Sequence, residues 1–145
     1  NAGTLTVSVT PNLSVFDIGI SAISFTGVDQ VTPFGTAGSA SGTSDAPSVA
    51  VSSACGDLVL DSLLFVRSGT HPVGSGQTQR VKTNTGNGFI KYACSTEPGA
   101  SSTTMSWSNS TSQAWAIAAV PVKPNAAAGT PVPVFTHHLQ QQGIA

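Results

Sequence analysis

Few side chains in this 145-residue sequence could do chemistry, and their spacing limits what each could do. Cys55 and Cys94 each follow an alanine at the end of a strand-like stretch, in Ser53-Ala54-Cys55-Gly56 and Tyr92-Ala93-Cys94-Ser95. An even cysteine count in a chain of secreted character points to a disulfide between them. Such a bond would restrict the unfolded ensemble by roughly 3–4 kcal/mol; the plainer reading is two small buried apolar side chains. A metal centre needs more ligands than this pair, and His71, His137 and His138 lack the spacing of a zinc motif, so neither metal nor cofactor is expected. Asp57 and Asp61 lie four apart on one strand face. Calcium wants more oxygens converging from a loop, and glycoside cleavage wants two carboxylates at a set separation. A turn cap for Asp57 and a sheet-end hydrogen bond for Asp61 are expected instead.

The serines offer no nucleophile elbow. Gly38-Ser39-Ala40-Ser41-Gly42 places Ala, not Ser, at its centre, and a Ser-His-Asp arrangement has little support. No enzyme is expected. Lys91 stands between Ile90 and Tyr92 in an apolar stretch, where a buried lysine must be paired or neutral. One use of such a lysine is an isopeptide crosslink to Asn12, Asn84, Asn87 or Asn109, with Asp17 or Asp61 as the acid. The plainer expectation is a lysine on the solvent face of an edge strand. Trp107, Trp115 and Tyr92 could stack sugar rings, but Trp107 alternates with Met105 and Thr103 as a core residue would. Asn12-Leu13-Ser14 and Asn109-Ser110-Thr111 match the glycosylation sequon, which a bacterial chain would leave unused.

The elements that would hold these residues follow from composition. Only 8% of the chain is charged, against about 25% in an average soluble domain. With 39% hydrophobic residues and a net charge of -1, the sequence is not disordered by the usual route. Five basic residues give no electrostatic footprint for nucleic acid. The longest apolar run, Ala114 to Val122, is too short for a membrane span. The N-terminus shows no charged and apolar signal pattern, so Asn1 reads as a processed or truncated start. Thr, Ser, Val and Gly dominate over helix formers, as suits strands punctuated by turns.

Thr4–Thr10 alternates, with Leu5, Val7 and Val9 on one face, and reads as a half-buried strand. Val15–Thr26 is apolar on both faces and reads as a central strand, followed by a long Gly/Ser/Thr loop to Pro47. Further strands are expected over Ser48–Ser53, Asp57–Val66, Gln77–Thr83, Phe89–Cys94, Ser101–Ser108 and Gln113–Val122. About eight strands without a crossover helix predict an all-β fold, an antiparallel β-sandwich of jelly-roll or immunoglobulin-like form.

Residues 1–124 form this domain, and residues 125–145 read as a linker and an extended tail. The prolines of Pro131-Val132-Pro133-Val134-Phe135 forbid a central strand position. A tail of this composition has little reason to order alone, so it is expected to lie along a sheet, its own or a neighbour's. His137–Ala145 is polar enough for one helical turn.

Several phrases resemble a β-sandwich module repeated in large secreted and surface proteins of environmental bacteria. They are Ser24-Phe25-Thr26-Gly27-Val28-Asp29-Gln30 with Thr32-Pro33-Phe34-Gly35-Thr36, then Gly56-Asp57-Leu58-Val59, Gly76-Gln77-Thr78-Gln79-Arg80, Thr104-Met105-Ser106-Trp107, and Ala114-Trp115-Ala116-Ile117 leading to Val122-Lys123-Pro124. The resemblance implies an extracellular, mostly non-enzymatic sandwich. Modules of this type have strands ahead of the segment equivalent to Thr4–Thr10, where this chain begins. An incomplete sandwich invites strand addition from another chain. The expected role is therefore a secreted or cell-surface structural protein, a subunit of a fibre or surface layer assembled head-to-tail from copies of itself. Pro131, Val132, Pro133, Val134 and Phe135 would be donor residues, and Leu5, Val7 and Val9 would mark the acceptor edge. The other reading is an adhesive or carbohydrate-binding module with a polysaccharide partner. Neither nucleic acid nor a membrane span is expected.

Overall fold

The computed structural model describes residues 6–12, 19–66, 69–84, 88–125 and 134–137. Among them are nine strands and no helix: β1 (Ala22–Phe25), β2 (Gly38–Ser44), β3 (Ser48–Val51), β4 (Leu58–Val66), β5 (Thr78–Asn84), β6 (Ile90–Pro98), β7 (Thr103–Ser106), β8 (Gln113–Val122) and β9 (Val134–His137). All pairings are antiparallel. The fold is an all-β, antiparallel sandwich-like architecture.

The larger layer is a five-stranded sheet in the order β2-β8-β4-β6-β5. The apolar run of β4 places it centrally, with Leu63 opposite both Ile117 of β8 and Ala93 of β6. At the β5 edge a bulge between Gln79 and Val81 twists the strand, and Arg80 and Lys82 put charge on it, two devices that protect an open edge.

The smaller layer is built around β7. On one side β3 pairs with it from Ser48↔Ser106 to Val51↔Thr103, and Trp107 N donates to Pro47 O beyond the strand end. On the other side the loop after β4 runs along β7: Val73 bridges Trp107, Gly74 N donates to Ser106 O at 2.8 Å and Ser108 N to Pro72 O at 3.1 Å. Val49, Val51, Met105 and Trp107 from this layer meet Val59, Leu63, Phe65, Ala93, Ile117 and Ala119 from the sheet, forming one core. Burying a side chain such as Phe65 stabilises by roughly 1.5–3 kcal/mol.

Several sequence expectations are corrected, beginning with the central strand expected over Val15–Thr26, whose described part contributes only β1, paired with β9 rather than set inside a sheet. Among the described residues, 6–10 pair with no strand, and Val7 and Val9 are about half exposed. Alternation gives a segment a face to bury but no partner, and the position beside β1 is taken by β9. Leu5 lies outside the described residues. The loop expected from Gly27 to Pro47 contains β2, whose Gly-Ser-Ala-Ser-Gly-Thr-Ser sequence has poor strand propensity. It forms because its neighbour needs small residues: the Trp115 indole covers Gly42, where a Cβ would stand 3.2 Å from Cζ2, and its Nε1 donates to Ser44 Oγ at 2.8 Å. The disulfide is absent, since both cysteines are free, Cys55 exposed and Cys94 buried. Cys55 sits in the turn before β4, and Leu58 opposes Pro98, four residues from Cys94. Four strand residues span about 13 Å, well beyond the roughly 7 Å that a disulfide can bridge.

Candidate functional site

Three places in the fold hold polar or unpaired groups able to carry a function. The first is a buried carboxyl. Asp61 on β4 is 1% exposed and faces the core rather than a sheet end. Its Oδ1 accepts the Ser95 amide at 2.6 Å, and its Oδ2 accepts Trp107 Nε1 at 2.6 Å and Gln77 Nε2 at 3.4 Å. Gln77 extends the network, donating to Ser95 Oγ at 2.6 Å and accepting the Ser106 amide at 2.7 Å. Burial pushes the Asp61 pKa up to about 6, against the Trp107 and Ser95 hydrogen bonds that pull it down. The network joins β4, β6 and the two sides of β7, so it sews one layer to the other. Asp57 does not share it: Oδ2 of that residue accepts the Ala54 amide at 2.8 Å and caps the turn, as expected from sequence.

The second place surrounds His71, which stacks on Phe65 with ring centroids 4.3 Å apart. Lys82 Nζ donates to His71 O at 3.2 Å and Lys91 Nζ to Gly69 O at 2.6 Å. Lys91 is thus half-buried on β6 with its ammonium on a carbonyl, rather than on a solvent face. Of its possible crosslink partners, Asn109 is buried beside Gly69; Asn87 and Asp17 lie outside the described residues. Burial of Asn109 also disposes of its sequon as a glycan acceptor.

The third place is the β1–β9 ribbon. Ala22, Ile23, Ser24 and Phe25 pair with His137, Thr136, Phe135 and Val134, and these two strands form a sheet of their own. The tail therefore does run along a strand, but that strand is β1, not Thr4–Thr10. Pro131, Val132 and Pro133 lie outside the described residues, as does all of the expected helical turn except His137, which is in β9. Just ahead of β1, Ser21 Oγ shares a 2.5 Å hydrogen bond with Tyr92 OH and lies 3.9 Å from Cys94 Sγ, so the chain enters the ribbon over the face of β6 that points away from the core. Just after β1, Gly27 (φ 68°) bends the chain alongside β8, where Asn125 N donates to Gly27 O at 2.7 Å and Asp29 N to Lys123 O at 3.0 Å. Asp29 caps the bend, accepting the Val31 and Thr32 amides, which hold its carboxyl below the usual range.

No family model, curated protein or solved structure matches the chain. Its chemistry must be read from its own residues.

The three aromatics make no platform. Trp107 is core, Trp115 faces the core from β8, and Tyr92 is half-buried with its hydroxyl bonded to Ser21. Among the described residues no group of three metal-ligating side chains occurs, and no helix is long and apolar enough to cross a membrane. The outward face of β2, β8 and β4 carries a shallow depression of about 430 Å³ whose lining includes Ser39, Ser41, Ser62, Leu64, Ala116 and Ala118, all uncharged. Sequence reasoning missed Gln77, His71 and Asn109. Gln77 carried a signal, since it follows Gly76 (φ 85°) at a turn that aims it inward. His71 carried none, because the residues it meets are distant in sequence, and Asn109 stood out only as a crosslink candidate and a sequon.

Proposed function

We propose that the protein is a non-catalytic, extracellular structural subunit that assembles with copies of itself by exchanging β9. The observation that carries this reading is the ribbon: β1 and β9 are bonded to each other and to no other strand among the described residues. Their four residue pairs are main-chain pairs of a kind that the same two strands can also form between chains. A two-stranded ribbon is marginal alone, which leaves the pairing open to exchange. The acceptor is Ala22–Phe25, and the donor residues that pair with it begin at Val134. Donor and acceptor on one polypeptide type give a head-to-tail contact, hence a ring or a fibre.

Two further features support the reading. The polar residues of the motif phrases are used in folding: Asp29 and Asp57 cap turns, Gln77 and Trp107 hold Asp61, and Ser44 holds Trp115. A net charge of -1 with 8% charged residues sets little repulsion between copies. Negative-stain microscopy of the full chain beside a variant lacking residues 129–145 tests the proposal. Fibres or rings are expected of the full chain and only monomers of the truncated one. Polymers that survive the truncation overturn strand donation by the tail, and a full chain that stays monomeric at millimolar concentration overturns self-assembly.

A further inference from the structure

His71 is wholly buried, and neither ring nitrogen meets a partner in good hydrogen-bond geometry, although the Thr70 backbone and the Asn109 side chain approach it. A neutral imidazole always carries one N–H and one lone pair, and burial without partners leaves both unsatisfied at a cost in stability. Asn109 beside it, also buried, has an unpartnered Nδ2, while its Oδ1 accepts the Ser110 amide and occupies the place where a Cβ on Gly69 would fall. The loop that carries His71 is the outer strand of the smaller layer, held to β7 through Gly74 and Ser108. The groups facing the imidazole are two cations, Lys82 from β5 and Lys91 from β6, with Phe65 from β4 and Asn109 from the segment after β7. Asp45, whose carbonyl accepts the Asn109 amide, has an exposed side chain, and no carboxylate bonds the ring.

We propose that His71 is an acid-operated latch: neutral, it seats the Gly69–Gly74 loop against β7, and protonated, it releases that loop and uncovers the Phe65–Trp107 side of the core. A proton on the seated ring would make a buried cation near half-buried Lys91 and exposed Lys82, without an acid to pair it. A proton on the released ring meets water. Burial above all, with the Lys91 and Lys82 charges behind it, outweighs the upward pull of the Thr70 backbone and the Asn109 side chain and holds the seated pKa below 6.5. The seated loop is fully favoured above pH 6.5 and loses stability as pH falls from there toward the depressed value. This device is independent of strand exchange, since it acts on the layer opposite the ribbon.

The full-length chain can be followed by amide hydrogen exchange and by ring proton NMR. Between pH 7 and pH 5 the protection factors of the Gly74 and Ser108 amides are expected to fall at least threefold, and up to roughly twenty-fivefold, the limit for a released imidazole of ordinary pKa. Amides of β4 and β6 keep theirs. The His71→Phe variant keeps a ring on Phe65 but takes no proton, so its protection should not change with pH. A smaller fall in the wild type, or an equal fall in H71F, overturns the latch. Should H71F not fold, the wild-type His71 ring decides: a midpoint below 6.5 supports the latch, and one at or above 6.5 overturns it.

Discussion

Replacing Asp61 by Asn should remove a contribution to stability that grows as pH falls. The carboxyl has an ordinary pKa of 3.8 in the unfolded chain and about 6 in the fold. The folded state therefore holds the proton more tightly, and between pH 4 and pH 6 it binds more protons than the unfolded state. Stability from this group falls as pH rises through that window, by about 3 kcal/mol in all. At pH 7 the ion is retained because three donors converge on it, from Ser95, Trp107 and Gln77. Asn keeps one acceptor for these donors and adds an NH2 that has to face some of them, which costs about 1–3 kcal/mol. Urea unfolding of wild type and D61N at half-unit intervals from pH 4 to pH 7 measures both effects. The wild-type free energy minus that of D61N should be largest at pH 4 and shrink toward pH 6.5. The difference isolates Asp61 from His71, whose contribution runs the other way and is common to both proteins. A difference constant across the window would refute the argument that burial, rather than hydrogen bonding, governs this carboxyl.

Two other outcomes follow from the packing. A thiol reagent should modify Cys55 at once in the native protein and Cys94 only after unfolding, because Cys94 is buried and its burial raises the thiol pKa; simultaneous modification of both would contradict the described position of β6. Gly42→Val should lower stability by about 1–3 kcal/mol, since the added carbons meet the Trp115 indole. Thermal melting should show that drop and leave Ser39→Ala, on the exposed face of the same strand, at the wild-type midpoint; equal midpoints for the two variants would contradict the close approach of Trp115 to β2.

The parts of the fold legible in the sequence are those whose information is local. The apolar run of β4, the alternation of Thr103, Met105 and Trp107, and the Ala-Trp-Ala-Ile phrase of β8 each appear as strands close to where the pattern puts them. Among the described residues β9 pairs with β1 alone, in keeping with prolines ahead of Val134 that argue against a central position. What the sequence hides is set by partners. β2 has the composition of a loop and is a strand because Trp115 covers Gly42. Thr4–Thr10 has the pattern of a strand, and its described residues 6–10 have no partner. Asp61 looks like a strand-end residue because neither Trp107 nor Gln77, which draw it into the core, is near it in sequence. The cysteines suggest a bond by number alone, and only the β4–β6 register separates them.

Whether β9 serves its own chain or a neighbour is a matter of reach. Asn125 bonds Gly27 and Val134 pairs with Phe25, so the gap to be closed within one chain is two strand residues, about 7 Å. Residues 126–133 can span up to about 27 Å when extended. The bonds are the same in either arrangement, so linker length and concentration choose between them, and a short linker sets an effective concentration in the millimolar range. Exchange then prevails where copies are crowded, as in a fibre or surface layer, and self-pairing prevails in dilute solution. Pairing of Pro124 with Val28 and of Val134 with Phe25 differs in register by seven residues. Deleting residues 127–133 brings both into one antiparallel register, with Ala126 opposite Thr26, and leaves no slack to reach a neighbour. This variant should keep the β1–β9 amide protection of the wild type and lose its ability to polymerise, whereas truncation at residue 129 loses both. Polymers formed by the deletion variant would mean that copies associate through another surface, the uncharged outer face of β2, β8 and β4 being the first to test.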